Sequence, residues 1–205
     1  MTSPRLDSTG DAARRDAQTV TKEGVQLGSR IDGVVTGSPV NHVDHRGRVF
    51  EIYAGPSDFW QAPVVYCYAF TVRAGQVKGW GLHLEKEDRY TLIHGEVLTV
   101  LYDARVDSPT YGVVQKVTLS EQGIRMLRIP TGVWHMNVNL AETETFLINH
   151  PTVAYHHSAP DRLLLPWDAP EIPVDLASFF PIQARHRHDC GGHEPAGGSL
   201  AAATP

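Results

Sequence analysis

This chain of 205 residues contains little cysteine. It also lacks long apolar runs and a first segment that resembles a leader. Its two cysteines, Cys67 and Cys190, are too few for a disulfide framework. No apolar run approaches the roughly 20 residues that a helix needs to cross a bilayer. The first 24 residues are polar and carry charges of both signs, unlike a secretory signal. The sequence therefore predicts a cytoplasmic protein with no membrane partner.

An excess of positive charge is missing as well. The chain carries 18 Lys and Arg against 23 Asp and Glu, a formal net charge of -5. This balance argues against nonspecific binding of nucleic acid, which a basic surface would favour. A local group of Arg or Lys side chains can still bind a small anion, so we expect a small-molecule substrate and no nucleic-acid partner.

Both ends of the chain lack the apolar periodicity of a folded domain. Residues 1–28 are rich in small polar and charged side chains, which predicts a flexible N-terminal arm. Residues 183–205 contain Gly pairs and an Ala-rich stretch, which predicts a flexible C-terminal tail. The sequence between them, residues 29–182, is long enough to bury a core and predicts one domain.

Helical patterns are scarce in that domain, whereas short apolar runs rich in β-branched and aromatic residues recur along it. Gly, Pro, Ser or Asp separates them at intervals of about 8–12 residues, which is typical of a sandwich or barrel. The fold predicted is all-β, a double-sheet jelly roll whose mouth holds a ligand cavity. The predicted strands are Val64–Val72, Leu98–Tyr102, Val113–Leu119, Arg125–Ile129, His135–Leu140 and Thr145–Asn149, with one short helical turn at Asp175–Phe180.

An ordered series of short motifs resembles the dTDP-4-dehydrorhamnose 3,5-epimerase family over about residues 35–175. The motifs are Asp44-x-Arg46-Gly47 with Glu51, Gly81-Leu82-His83, Gly95-Glu96-Val97, the loop Asp103–Gly112, the segment Ile129–His135, and Trp167-Asp168 with Pro170. The resemblance implies a cupin jelly roll, a homodimer, and epimerisation of a keto-sugar without a cofactor or metal. It also implies that His83 is the catalytic base, that Asp168 is its carboxylate partner, and that Arg46, Glu51 and His135 bind substrate.

Three positions depart from the family pattern. Asp88 stands where the family has the Lys that stabilises an enolate, and Ile148 stands where it has the Tyr that returns a proton. Trp80 replaces an Arg that contacts the diphosphate, so we expect Trp80, with Phe70 and Trp134, to give the pocket an apolar, aromatic lining.

Neighbouring residues offer replacements for the lost groups. Lys86 or Arg89 could supply the cation, and Tyr90 or Tyr155 could supply the acid. We include Arg89 among the expected substrate-binding residues, although strand alternation would turn its side chain away from a cavity that Asp88 faces. The leading prediction is an epimerase or isomerase of a keto-sugar or related carbonyl metabolite.

Two other classes of function remain open. A cupin that has lost two catalytic groups could be a non-catalytic ligand-binding protein. A metal-dependent cupin such as an oxygenase is the other alternative, because Pro130, Gly132, His135 and Asn139 match a cupin metal motif, and His83 with Glu85 could complete a set of two histidines and one carboxylate. The cluster His186, His188, Cys190 and His193 is interpreted as incidental to a tail.

Overall fold

Two antiparallel sheets of five strands form the domain in the computed structural model, which describes residue 8 and residues 13–23 and 27–179. One sheet has the order β1-β9-β6-β11-β4 and the other β12-β5-β10-β7-β8, while β2 and β3 form a separate hairpin. The strands are β1 Val35–Gly37, β2 Asn41–Asp44, β3 Gly47–Phe50, β4 Tyr68–Val72, β5 Val77–Leu82, β6 Asp88–His94, β7 Glu96–Asp103, β8 Val114–Ser120, β9 Met126–Ile129, β10 Val133–Val138, β11 Thr145–Asn149 and β12 Leu163–Leu164. A 3-10 turn follows at Leu176–Phe179.

This architecture confirms the predicted double-sheet jelly roll. Strands β7 to β11 lie within two residues of their expected positions, and β4 covers only the second half of its predicted run. Half of the proposed N-terminal arm, and all of the proposed C-terminal tail with the His186–His193 cluster, lie outside the described residues. Within the described residues, no helix has the length and apolar character needed to span a membrane.

The main core lies between the two sheets and follows from strand alternation. Successive side chains point to opposite faces of a strand, so every second residue enters the core. Leu92, Leu127 and Leu147 from one sheet meet Leu101 and Leu119 from the other, all completely or almost completely buried. Packing of this apolar face fixes the spacing of the sheets and leaves a cavity where polar side chains replace the apolar ones.

A second apolar cluster covers the outer face of the β12-β5-β10-β7-β8 sheet. Trp80, Val100 and Met136 pack there against Ile172 and Leu176 from the C-terminal segment. Since alternate residues of the same strands enter the cavity, this outer cluster holds the cavity-facing side chains in place from behind.

Candidate functional site

The cavity between the sheets has a volume of about 400 Å³ and draws its walls from both sheets. This volume lies within the range of ordinary small-molecule sites. Aromatic side chains of β4 and the preceding segment line one part of it, and two histidines and a carboxylate line another. The aromatic residues are Tyr66, Tyr68 and Phe70.

Three titratable side chains from three strands or their ends meet inside this cavity. His83 follows β5, Asp88 begins β6 and His135 lies in the middle of β10. All three are buried, with relative exposures of 7%, 2% and 7%. Period-2 alternation accounts for their direction, because Trp80, Arg89 and Met136 on the same strands lie outside the cavity.

Asp88 lies at the centre of this group. Its Oδ2 atom is 3.3 Å from Nε2 of His83 and 3.4 Å from Nε2 of His135. The His83 and His135 rings lie side by side, with centroids 5.4 Å apart and planes inclined by 33°. We call His83, Asp88 and His135 the central cluster.

The other ring nitrogen of each histidine is held by a backbone carbonyl. His83 Nδ1 contacts the carbonyl oxygen of Asp161, and His135 Nδ1 lies 3.2 Å from the carbonyl oxygen of Val133. A carbonyl only accepts hydrogen bonds, so each Nδ1 is the protonated donor and the Nε2 lone pair of a neutral ring faces the cavity. The fold thereby fixes both tautomers.

Asp161 also fixes the loop that follows His83. Its carboxylate accepts hydrogen bonds from the backbone N–H groups of Leu84, Glu85 and Lys86, at 2.9, 2.9 and 3.2 Å. Burial opposes its ionisation, but these amides together with the His83 charge keep the pKa of Asp161 below its usual value. The residue lies 78 positions from His83, and no sequence motif indicated it.

Further polar contacts hold the Asp88 carboxylate. Asn149 donates a hydrogen bond of 2.8 Å to Oδ1, and the Tyr90 hydroxyl donates one of 3.2 Å to Oδ2. Burial favours the neutral acid, but a hydrogen bond from His83 and the charges of both histidines, present when their Nε2 atoms are protonated, hold the pKa of Asp88 well below its usual range. Burial also lowers the pKa of His135, against the opposing pull of Asp88.

Two tyrosines next to the cluster, the half-buried Tyr68 and the buried Tyr90, remain protonated. Burial, reinforced by the negative charge of Asp88, raises the pKa of Tyr68 to about 12. The same two causes raise the pKa of Tyr90 well above its ordinary value. The Tyr90 hydrogen is directed at Asp88, whereas the Tyr68 oxygen accepts a 2.9 Å hydrogen bond from Asn149. The sequence had not indicated Tyr68 as a proton donor.

Cationic side chains line the same cavity. Lys86 is buried, and its ammonium lies 5.9 Å from the centre of the Tyr155 ring. Lys78 and Arg162 are exposed. The cavity therefore combines a negatively charged centre with cations that can meet an anionic part of a ligand.

Trp80 and Arg89, both expected to bind substrate, lie outside the cavity. Trp80 is buried in the apolar cluster on the outer face of its sheet. The Arg89 guanidinium donates hydrogen bonds to the carbonyl oxygens of Ala62, Pro63 and His150, at 2.5, 2.9 and 2.6 Å. Alternation explains why both side chains lie outside the cavity, since each residue neighbours a cavity-facing position on its strand.

Asp168, Arg46 and Glu51 also lie away from the cavity walls of this chain. Asp168 is exposed on the loop after β12, and Asp88 occupies the place beside His83 that we expected Asp168 to fill. Arg46 is 78% exposed at the tip of the β2–β3 hairpin, where it pairs with Asp44, and Glu51 is exposed just beyond β3. Glu85, the carboxylate considered for a metal, is exposed too.

Other expected residues are brought together. His83, His135 and Phe70 line the cavity with Lys86, Tyr90 and Tyr155. Trp134 does not line it and packs with the Trp80 cluster on the outer face. The replacement cation and replacement acids considered from the sequence therefore include residues that can reach a ligand.

A jelly roll with a histidine–carboxylate cavity between its sheets defines the class of this protein, and comparison with known proteins identifies its family. The family model described as dTDP-4-dehydrorhamnose 3,5-epimerase matches residues 28–189. The chain belongs to this family. Membership establishes a sugar epimerase of the nucleotide-sugar type as the general class. The sequence is a divergent member, since it is 32% identical to the first two relatives described next.

Individual relatives agree with this assignment. The chain is 32% identical over 154 residues to the spore coat polysaccharide biosynthesis protein SpsL of Bacillus subtilis, covering 73% of this chain and 99% of that protein. It is 32% identical over 162 residues to the dTDP-4-dehydrorhamnose 3,5-epimerase of Pseudomonas aeruginosa, covering 75% and 84%. The crystal structure of a dTDP sugar isomerase from Desulfovibrio desulfuricans superposes with a TM-score of 0.67 at 26% identity, covering 72% and 92%.

The contacts of Arg89 predict a structural effect on substitution. Arg89→Leu should lower the free energy of unfolding by about 3 kcal/mol, because the buried His150 carbonyl and the partly buried Ala62 and Pro63 carbonyls lose their donor. Arg89→Lys should recover only part of this loss, since one ammonium cannot replace the planar guanidinium. Denaturant unfolding measures both, with Arg162→Leu as the control at an exposed cavity residue. Equal stability of Arg89→Leu and the wild type would contradict this interpretation.

Proposed function

We propose that the protein epimerises or isomerises a keto-sugar at this cavity, with His83 as the base that abstracts a proton. The observation that carries the proposal is the fixed orientation of His83, whose Nδ1 is anchored to the Asp161 carbonyl while Nε2 faces the cavity beside Asp88. A neutral imidazole with an oriented lone pair is a common general base.

The neighbourhood of His83 favours proton transfer. Abstraction of a proton from the carbon next to a carbonyl leaves an imidazolium and an enolate. The ionised Asp88, 3.3 Å from His83 Nε2, stabilises the imidazolium. Asp88 thus performs the role that the resemblance had assigned to Asp168.

The enolate and the final protonation need two further groups. Lys86 is the buried cation of the cavity, and we assign it the stabilisation of the enolate oxygen. Tyr68 is assigned the return of a proton on the opposite face, because its oxygen accepts from Asn149 and the described residues offer no acceptor for its own hydrogen. Together they replace the family Lys and Tyr that are absent at Asp88 and Ile148.

The substrate class follows from the walls of the cavity. Its aromatic side and polar centre suit the two faces of a sugar ring, and Lys78 and Arg162 suit an attached anion. Relatives named for dTDP-linked keto-sugars support a nucleotide-linked substrate. The loss of an Arg at the Trp80 position argues that the nucleotide is bound more weakly than a full set of guanidinium donors would allow.

We also propose that the protein is a homodimer. The β2–β3 hairpin stands apart from both sheets and exposes Val40, Val43 and Val49 by about 70% each. Apolar side chains on a projecting hairpin are typical of a surface that is covered on association. Arg46 at its tip would then be free to approach the cavity of the partner.

The base assignment predicts the outcome of a solvent-exchange experiment. In D₂O with dTDP-4-dehydro-6-deoxyglucose, the wild type should incorporate deuterium next to the carbonyl. His83→Gln should slow this incorporation by about 10²- to 10⁴-fold, the usual contribution of a general base. Mass spectrometry or proton NMR of the recovered sugar measures the rate.

The matched control is His94→Gln, because His94 lies at the far end of β6 with a 63% exposed side chain paired to Glu121. It should exchange deuterium at the wild-type rate. Wild-type exchange in a folded His83→Gln protein would remove His83 from the base role. No exchange by the wild type with this sugar would favour the alternative of a non-catalytic ligand-binding protein or a different keto-sugar.

Nucleotide affinity tests the substrate proposal. One or two guanidinium contacts contribute only about 1.5–3 kcal/mol each, so calorimetry should give a Kd for dTDP in the high-micromolar range or weaker. Arg162→Ala should weaken it further. An affinity in the low-micromolar range would contradict the weak diphosphate site.

A loss of binding in Arg46→Ala would place the hairpin of a second copy at the cavity and support the homodimer.

A further inference from the structure

His135 has no role in the proposed proton transfer, although it is held as firmly as His83. Its Nε2 atom faces the same oxygen of Asp88, at 3.4 Å. The ligand atoms of His83, Asp88 and His135 all lie within 4.8 Å of one another. Three electron-pair donors therefore converge on one small volume, which favours a cation between them.

We propose that the central cluster binds one divalent first-row transition metal ion through His83 Nε2, His135 Nε2 and Asp88 Oδ2. Two imidazoles and one carboxylate are a ligand set found for iron, manganese and zinc in proteins. This goes beyond the proposed epimerase activity and does not depend on it.

The separations of the ligand atoms fit such an ion. Metal–ligand bonds of about 2.0–2.1 Å place neighbouring ligands of a tetrahedral ion about 3.4 Å apart. The Asp88 oxygen lies 3.3 and 3.4 Å from the two Nε2 atoms. Charged N–H···O⁻ hydrogen bonds are typically shorter, about 2.7–2.9 Å, so these two separations accommodate a shared metal as well as the long hydrogen bonds that protonated rings would donate.

Outer contacts hold all three ligands in the orientation that a metal needs. Each histidine is anchored at Nδ1 by a backbone carbonyl, from Asp161 and Val133. Asn149 and Tyr90 hydrogen-bond the carboxylate of Asp88. In protein metal sites the ligating histidines usually donate their other ring N–H to a carbonyl or carboxylate, and the ligating carboxylates are hydrogen-bonded in turn.

The cluster also has an approach path and room for further ligands. All three side chains line the 400 Å³ cavity, so coordination positions not taken by the protein would face it. A metal would occupy the same His83 lone pair that takes the proton in the proposed epimerisation. Metal binding and base catalysis by His83 are therefore mutually exclusive.

The test is a Co²⁺ titration of the full-length chain, followed by calorimetry and by the visible spectrum of the bound ion. Because the C-terminal segment carries other potential ligands, the titrated protein also carries His186→Ala, His188→Ala, Cys190→Ala and His193→Ala. One equivalent of Co²⁺ should bind. His135→Gln and Asp88→Asn should each weaken binding by roughly 100-fold or more, whereas His94→Gln should bind as before.

A second measurement tests the site without any substitution in the central cluster, so it does not depend on whether the variants fold. In the protein with an intact cluster, paramagnetic Co²⁺ should broaden the ring signals of His83 and His135 before those of the exposed His42. The proposal is overturned by the absence of saturable binding, by binding that survives both cluster substitutions in folded protein, or by unbroadened His83 and His135 signals.

Deuterium exchange separates this proposal from the proposed function. If both hold, saturating Co²⁺ should stop exchange, and removal of the metal by a chelator should restore it. Stoichiometric binding with faster exchange would support the metal site and overturn the base role of His83. Exchange without any metal binding would support the base and overturn the metal site.

Discussion

The site depends on one buried negative charge. Asp88 is 2% exposed, and an isolated carboxylate at that depth would be strongly destabilised. The structure stabilises it with an amide and a phenol, and with two imidazoles when these carry a proton on Nε2. These partners come from both sheets, so the charge is compensated only when the sheets have packed. Its effect extends outward, since the charge of Asp88 helps to keep Tyr68 and Tyr90 protonated.

The jelly roll creates this centre through strand alternation and turn placement. The inward positions of β5, β6 and β10 change from apolar to polar only where the cavity lies, and the outward positions carry Trp80, Arg89 and Met136. Gly81 keeps the space open, because a Cβ there would lie 3.4 Å from Nε2 of His135. Cavity-facing side chains and the side chains that support them are thus neighbours in sequence that point to opposite faces of a sheet.

The sequence predicted the sheets and two of the three central residues for understandable reasons. His83 and His135 end or occupy apolar runs with clear alternation, and both lie in recognisable motifs. At Asp88 the sequence shows only that the family Lys is absent. The position of Asp88 in the cluster depends on its contacts with His135 and Asn149, which lie far along the chain. Trp80 and Arg89 lie outside the cavity because alternation turns them to the other face of their sheets, and Asp168 lies away from it while Asp88 stands beside His83.

The central claim is that the fold orients two histidines so that both Nε2 atoms face Asp88. Long-range ¹H–¹⁵N NMR of the metal-free protein, with histidine ring nitrogens resolved, tests it most directly. The account predicts that Nδ1 carries a proton in both His83 and His135, donated to the Asp161 and Val133 carbonyls. A bare Nδ1 with the proton on Nε2 in either ring would contradict the account.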